Sequence, residues 1–400
     1  MLEKKLQPRY KKIATYLALA IIPLSGVATD IFIPSLPTMV KDLHTTESTI
    51  RLSITLFLVS YGLSQFISGA LVDAWGRYKF NIISMLVFIA SNVIIILSDS
   101  IELILIARFI QGISAGAIAT AKRTLFIDVH DGEKLKHYLS IMSIVWSLGP
   151  IIAPFIGGYL EHLVNWRACF AFLGVYALII LILELIFSGE TINNYHELKI
   201  KPILDKSLIM IKTPDFIYGV FICSLCYAMV ILFGLVSPFI VEHRMGFSPV
   251  VAGYVSLILG FAWMTGGFIG KALMKKDFLP KIQRGNAIQF LFIVAMLLTT
   301  PLRADIFTLV FFAFAVHVCS GFMFNNYFAY CLGRFPNMAG LSGGLVGGMN
   351  YILCSIFSYG LTWGINPQEQ SGLSIAYFVL AAGILIFLLL TKRSKSAFVS

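Results

Sequence analysis

The residues IISMLVFIASNVIIIL, 82–97, leave no polar face for water. A helix that is apolar all round must be buried, either in a large core or in lipid. Runs of this kind recur, centred near residues 24, 61, 88, 115, 149, 177, 229, 261, 293, 318, 350 and 381. A bilayer core takes roughly 20 apolar residues per helix, so twelve runs use up most of a 400-residue chain. Membrane strands would alternate apolar and polar residues over about ten positions, and these runs do not. Charged residues make up only 12% of the chain, where soluble domains carry about 25%. The expected fold is all-α and integral to the membrane, with twelve transmembrane helices.

The longest polar connection, SGETINNYHELKIKPILDKSLIMIKTPD (188–215), divides the spans six and six. This predicts two six-helix bundles, 1–187 and 216–400, joined by the linker 188–215. Within the linker, KPILDKSLIMIK (201–212) spaces apolar residues helically between lysines, as a helix lying on a membrane surface does. Lysines 4, 5, 11 and 12 and Arg9 precede the first run, but that run is too long for a signal peptide and has no small-residue cleavage site. It is therefore read as the first span.

Lys and Arg fix the expected orientation. With the N-terminus inside, 24 of the 30 fall in inner segments; Lys41, Arg51, Arg167, Arg244 and Arg303 lie outside, and Arg108 lies within a span. Both termini are expected to be cytoplasmic. The net charge of +10 is then accounted for by this bias and by attraction to anionic membrane lipid, with no nucleic-acid partner. All six cysteines fall within or beside apolar runs and read as small hydrophobes. Cys223 and Cys226 form a CxxC without a second pair, so no metal site and no cofactor is expected.

The short turn SGALVDAWGRYKF (68–80) places Gly69, Asp73, Gly76, Arg77 and Lys79 between the second and third spans. Glycines admit close approach of helix ends, and Asp73 can pair with a cation or cap a helix, which suits a gate. This turn resembles the loop signature of the major facilitator superfamily, with Ala74 and Tyr78 in place of two usual basic residues. Arg108-Phe109-Ile110-Gln111-Gly112 is similar to that superfamily's RxxQG motif. Gly149, Pro150, Pro154 and Gly157 resemble the antiporter motif of its drug-efflux members. VATDIFIPSLP (27–37), NWRACF (165–170) and AGLSGGLVGG (339–348) look most like the bicyclomycin-resistance (Bcr/CflA) branch. The resemblance implies the major facilitator fold, a bacterial cytoplasmic (inner) membrane location and a monomeric, proton-coupled carrier of small molecules.

Asp30 and Arg108 stand out independently of that resemblance. The first span runs outward and is expected to end near Leu36, placing Asp30 roughly 9 Å below the outer surface. Arg108 enters the fourth span at a similar depth. Buried charges in a bilayer are costly, so the two should face each other or a wet cavity. A nearby guanidinium and desolvation pull a carboxyl's proton affinity in opposite directions, while arginine stays charged. Asp30 is thus the candidate proton carrier and Arg108 its partner.

Tyr61, Gln65, Gln111, Trp146, His317, Asn325 and Asn350 are polar residues within spans and candidates for a substrate cavity, although interhelical hydrogen bonds suit each equally. Gly340-Leu341-Ser342-Gly343-Gly344 matches GxSxG without a preceding strand. His196-Glu197 lacks the second histidine of HExxH, and there is no P-loop. No enzymatic activity is expected. The GxxxG pairs Gly112/Gly116, Gly266/Gly270, Gly343/Gly347 and Gly344/Gly348 predict close helix packing. The leading functional expectation is proton-coupled efflux of amphipathic small molecules by alternating access. The alternative is transport of a polar or anionic metabolite such as a siderophore, drawn by Arg108, His317, Lys122 and Arg123.

Overall fold

The computed structural model describes residues 4–192, 195, 200–365 and 367–393. His196 and Glu197 lie outside that set. Twelve long helices occur among the described residues. They are α1 (Pro8–Asp42), α2 (Glu47–Trp75), α3 (Arg77–Leu97), α4 (Ile101–Val129), α5 (Gly132–Leu163) and α6 (Arg167–Phe187) in the first half. After a shorter α7 (Ile200–Ile211) come α8 (Pro214–Arg244), α9 (Pro249–Ala272), α10 (Phe278–Thr299), α11 (Ile306–Gly333), α12 (Ala339–Ile365) and α13 (Gln370–Arg393). Helix α7 covers the amphipathic stretch read in the linker. The chain divides into two compact units, 1–200 and 201–400.

Local chemistry sets the helix ends. The Thr46 hydroxyl accepts from the Thr49 N–H at 3.2 Å to start α2, and Ser100 does the same for Leu103 at the start of α4. Asp305 and Thr308 form a reciprocal capping box on α11. Such caps satisfy N–H groups that have no partner inside the helix. Between α2 and α3 the chain reverses at Gly76, whose φ of +93° is a conformation that favours glycine.

Helix α1 differs from the expected continuous span. It consists of Lys11–Ile21, Leu24–Asp30 and, after a 3-10 turn at Ile33–Ser35, Leu36–Asp42. Proline explains the breaks, since its missing N–H removes the bond to the carbonyl four residues back. Pro23 cannot bond Leu19, Pro34 cannot bond Asp30, and Pro37 cannot bond Ile33. The middle piece therefore ends at Asp30 itself.

In the first unit α2 and α4 pack backbone to backbone: a Cβ on Gly112 would strike Ser60 Oγ and the Phe57 carbonyl, and one on Gly116 would meet Ser64. Helix α5 lies as closely on α1. Pro23 O is 3.0 Å from a Cβ at Gly149, a Cβ at Gly157 would overlap the Ile31 carbonyl, and Gly26 faces Pro150 Cδ at 2.7 Å. The second unit repeats the device between α9 and α11, where Gly266 faces the Val318 carbonyl and Gly321 that of Trp263. Two expectations need correction. Gly69 and Gly347 have open space where a Cβ would go, and Gly343 meets only Leu332 at 3.4 Å. Spacing alone does not say which side of a helix a neighbour occupies.

Candidate functional site

The polar centre of the first unit is built on Arg108. Its guanidinium is fully buried and stacks over the rings of Phe57 and Phe32, 4.3 and 4.5 Å from their centroids. Nη1 donates to the Ala28 carbonyl at 3.0 Å and to Gln111 Oε1 at 2.5 Å. Gln111 passes the chain on to Asn92 Oδ1 at 3.0 Å, and Asn92 is anchored on the Phe88 carbonyl at 2.8 Å. The Ala28 carbonyl belongs to the last turn of the middle piece of α1, where carbonyls lack helical partners. Arg108 therefore caps a helix C-terminus, the end that favours a cation.

Asp30 is buried two residues further along that piece, but among the described residues it forms no ion pair with Arg108. The guanidinium turns to the backbone instead, and its Nε and Nη2 have no partner among the described residues. Aromatic faces compensate part of the desolvation. The site thus holds a buried carboxyl and a buried cation with spare donors on neighbouring parts of one helix end.

The remaining candidates in this unit hold helices together. Tyr61 is buried and shares a hydrogen bond with Ser25 of α1. Gln65 donates to the Gly116 carbonyl of α4 at 3.3 Å. Trp146 falls in α5, and its side chain is not among those described. Near the opposite end of α1, Ser35 Oγ lies 3.8 Å from the Cys169 thiol of α6. Trp166 Nε1 donates to Asp42 at 3.0 Å, Asn165 Oδ1 accepts from the Ala168 N–H at 3.3 Å, and Arg167 reaches the Ile96 carbonyl at 3.1 Å. The NWR sequence is accordingly a corner that ties α6 to α1 and α3.

The turn 68–80 is a hub of charge. Arg77 pairs with Asp73 at 2.9 Å and with Asp128 of α4 at 2.8 Å. Glu190 accepts from the Arg77, Tyr78, Thr191 and Ile192 N–H groups at 2.9–3.1 Å, so it caps α3. A Cβ on Gly76 would strike the Glu190 carboxylate, a second reason for glycine there. Lys79 is exposed. Further inside the helix ends, Lys122 and Glu184 form a buried pair at 2.7 Å. Asp128, Glu190 and Asn92 carry no local signal in the sequence, because their partners lie far along the chain; Glu184, near the end of the sixth span, reads there as a residue that can snorkel.

In the second unit His317 is buried with its Nε2 3.1 Å from the Tyr377 hydroxyl and its ring edge-on to Phe233. Gln289 donates to Ser320 Oγ at 2.8 Å and to the Val316 carbonyl at 3.3 Å. Asn350 is buried on α12, while Asn325 is exposed and returns to its own helix at Gly321. At the end of α11, Arg334 and Tyr330 both donate to the buried Asp215, at 2.5 and 2.6 Å. Ser342, of the GxSxG match, is buried and donates to the Cys331 carbonyl at 3.0 Å, which leaves it a packing group. The six cysteines are buried thiols.

A sequence profile described as Major Facilitator Superfamily matches residues 18–358. The MFS-type transporter YdgK of Bacillus subtilis (strain 168) is 28% identical over 376 residues, 91% of this chain and 92% of that one. Multidrug resistance protein MdtL of Shewanella sp. (strain ANA-3) is 25% identical over 370 residues, 89% of each chain. Among solved structures, a D-xylose-proton symporter superposes with a TM-score of 0.71 at 15% identity, covering 94% of this chain and 96% of that one; at such identity the likeness is one of fold.

Proposed function

Because the chain belongs to the Major Facilitator Superfamily, as a multi-pass integral membrane transporter of twelve helices, we propose that it exports amphipathic small molecules in exchange for protons, with Asp30 as proton carrier and Arg108 as the group that controls it. The observation that carries this reading is the buried guanidinium at the helix end formed by Asp30, bonded to Ala28 while two of its nitrogens stay unpartnered among the described residues. A carboxyl drawn against those nitrogens gives up its proton and stays as carboxylate; one kept away from them holds it. Movement of the short α1 pieces, already separated by Pro23 and Pro34, moves Asp30 between the two settings. Relatives named for multidrug resistance, MdtL among them, support the efflux direction, and the stretches 27–37 and 165–170 support the bicyclomycin-resistance branch. A cytoplasmic placement of both termini and monomeric action belong to the same proposal.

The anionic-metabolite alternative drew on Arg108, His317, Lys122 and Arg123, and one of these four, Lys122, is not open to an anion. Its ammonium is neutralised by Glu184, which favours the efflux reading. In proteoliposomes with an imposed pH gradient, Asp30→Asn is expected to insert normally yet to lose substrate-driven proton release by about a hundredfold or more. Undiminished proton release from that variant would remove Asp30 as carrier.

A further inference from the structure

We propose that the basic end of the first unit holds the phosphate of an anionic phospholipid headgroup in a hollow between the start of α1 and the turn joining α4 to α5. The hollow is open, about 510 Å³ in volume, and Arg9, Lys11, Lys12 and Lys134 contribute its cations. Lys11, Lys12 and Lys134 have no ion-pair partner among the described residues. The one carboxylate in the lining, Glu133, is engaged by Lys136 at 2.9 Å. With Asp131 alongside, the four lining cations outnumber the two carboxylates.

The hollow also has a built wall. His130 bonds Thr15 Oγ1 at 2.9 Å and lies against the Tyr138 ring with centroids 4.3 Å apart. Beneath it Ala18, Leu19, Ile22, Leu125, Phe126 and Val129 form a closed apolar cluster, so the basic side chains stand on a firm base. Burial, then Lys11 and Lys134, hold the His130 imidazole below its ordinary value, with Asp131 acting the other way. Burial is the larger cause, and the two lysines add to it.

The α1 helix shows why the anion should be a lipid's. Arg9, Lys12, Ile13 and Tyr16 follow at i, i+3, i+4 and i+7, on one face, and Ile13 and Tyr16 are 38% and 52% exposed. Exposed apolar side chains one turn beyond the cations offer acyl-chain contact in register with a phosphate at Lys12. Basic pockets at helix ends suit acidic headgroups on these grounds. A free phosphate ion would use the cations alone.

The test uses the full chain in nanodiscs containing phosphatidylglycerol or phosphatidylcholine, with retained lipid counted by native mass spectrometry and His130 followed by NMR titration. Phosphatidylglycerol should be retained selectively and should raise the His130 titration point. The triple variant Lys11→Gln, Lys12→Gln, Lys134→Gln should lose about tenfold in retention, the corresponding Arg triple variant little, and a control with Lys275→Gln and Lys276→Gln little. Lys134→Gln alone, which leaves the leading basic segment intact, should lose about threefold and covers the case of failed insertion by the triple variant. Equal loss in the control, or equal retention of the two lipids, overturns the site. A saturable His130 shift with inorganic phosphate in detergent, without one for phosphatidylglycerol, overturns the headgroup as occupant.

Discussion

The two units solve the same packing problem and fill the middle of it differently. In each, one long helix presses glycine against a neighbour's carbonyl: Gly112 of α4 on α2, and Gly321 of α11 on α9. In each, an amide from the preceding helix bonds into the same long helix, Asn92 to Gln111 and Gln289 to Ser320. At the heart of the first network is a permanent cation; in the second unit His317, three residues before Ser320 on α11, faces a tyrosine hydroxyl and a phenyl edge. The amides and glycines are therefore common scaffold, and charge is what distinguishes the first unit.

Replacing the two central residues tests that contrast most severely. Arg108→Ala removes the bonds to Ala28 and Gln111 and the stack between two phenyl rings, and is expected to lower stability by about 1–3 kcal/mol and to abolish coupled transport. His317→Leu should cost about 0.6 kcal/mol, the average for an interhelical hydrogen bond in a membrane, and leave coupling intact. Thermal unfolding in detergent together with gradient-driven transport reads both. If the two variants lose coupling alike, charge does not separate the units.

The shared scaffold predicts matched effects across the units. Gly112→Ala and Gly321→Ala both force a methyl into a backbone and should each destabilise by about 1–3 kcal/mol, whereas Gly347→Ala, facing open space, should stay within about 0.5 kcal/mol. Unfolding midpoints of the three variants give the comparison directly. A large effect at Gly347 would mean that GxxxG spacing alone reports packing after all.

The carboxylates that anchor helix ends in the two units should differ by a smaller amount. Glu190→Gln weakens a charged cap on α3 and is expected to cost about 0.3–1 kcal/mol. Asp215→Asn, which strips a buried carboxylate from both Arg334 and Tyr330, should cost more, about 1.5–3 kcal/mol. Hydrogen exchange at the starts of α3 and α8 locates each loss; equal values would mean that burial of the carboxylate is immaterial.

The smallest expected effect is pH dependence at His130. Its folded-state titration lies below the ordinary value, so the fold prefers neutral imidazole. That preference is satisfied above about pH 6.5, and stability falls as pH drops below it, because the unfolded chain then binds the extra proton. Midpoints at about pH 7.5 and about pH 5.5 should differ slightly more for the parent chain than for His130→Gln. No such difference would mean that neither burial nor the neighbouring lysines hold His130 below its ordinary value.

Hydropathy made the twelve spans legible because burial in lipid is a local demand, written in twenty or so consecutive residues. The turn at Gly76 was legible for the same reason. So was the break at Asp30, in retrospect: Pro34 stands four residues on, and a proline there unbonds that carbonyl whatever surrounds it. What stayed hidden depends on pairing across the chain. Arg108 and Asp30 shared a depth, yet Arg108 bonds an unbonded backbone carbonyl, a partner without a residue type to announce it. Lys122 read as an open attractor until Glu184, 62 positions away, was found beside it. Glu190 looked like ordinary linker and proved to cap α3 across 113 positions.

The backbone of Glu190 has a separate attachment: its N–H donates to the Lys4 carbonyl at 2.7 Å, and the Leu6 N–H donates to its carbonyl at 3.0 Å. The leading residues are thus stitched to a segment the ribosome reaches only after α6. At about 5–20 residues per second, the nascent N-terminus waits roughly ten to forty seconds before that stitch can close. During biosynthesis the first unit is consequently open at its basic end until its last helix has been made, and closing the stitch marks the completed half.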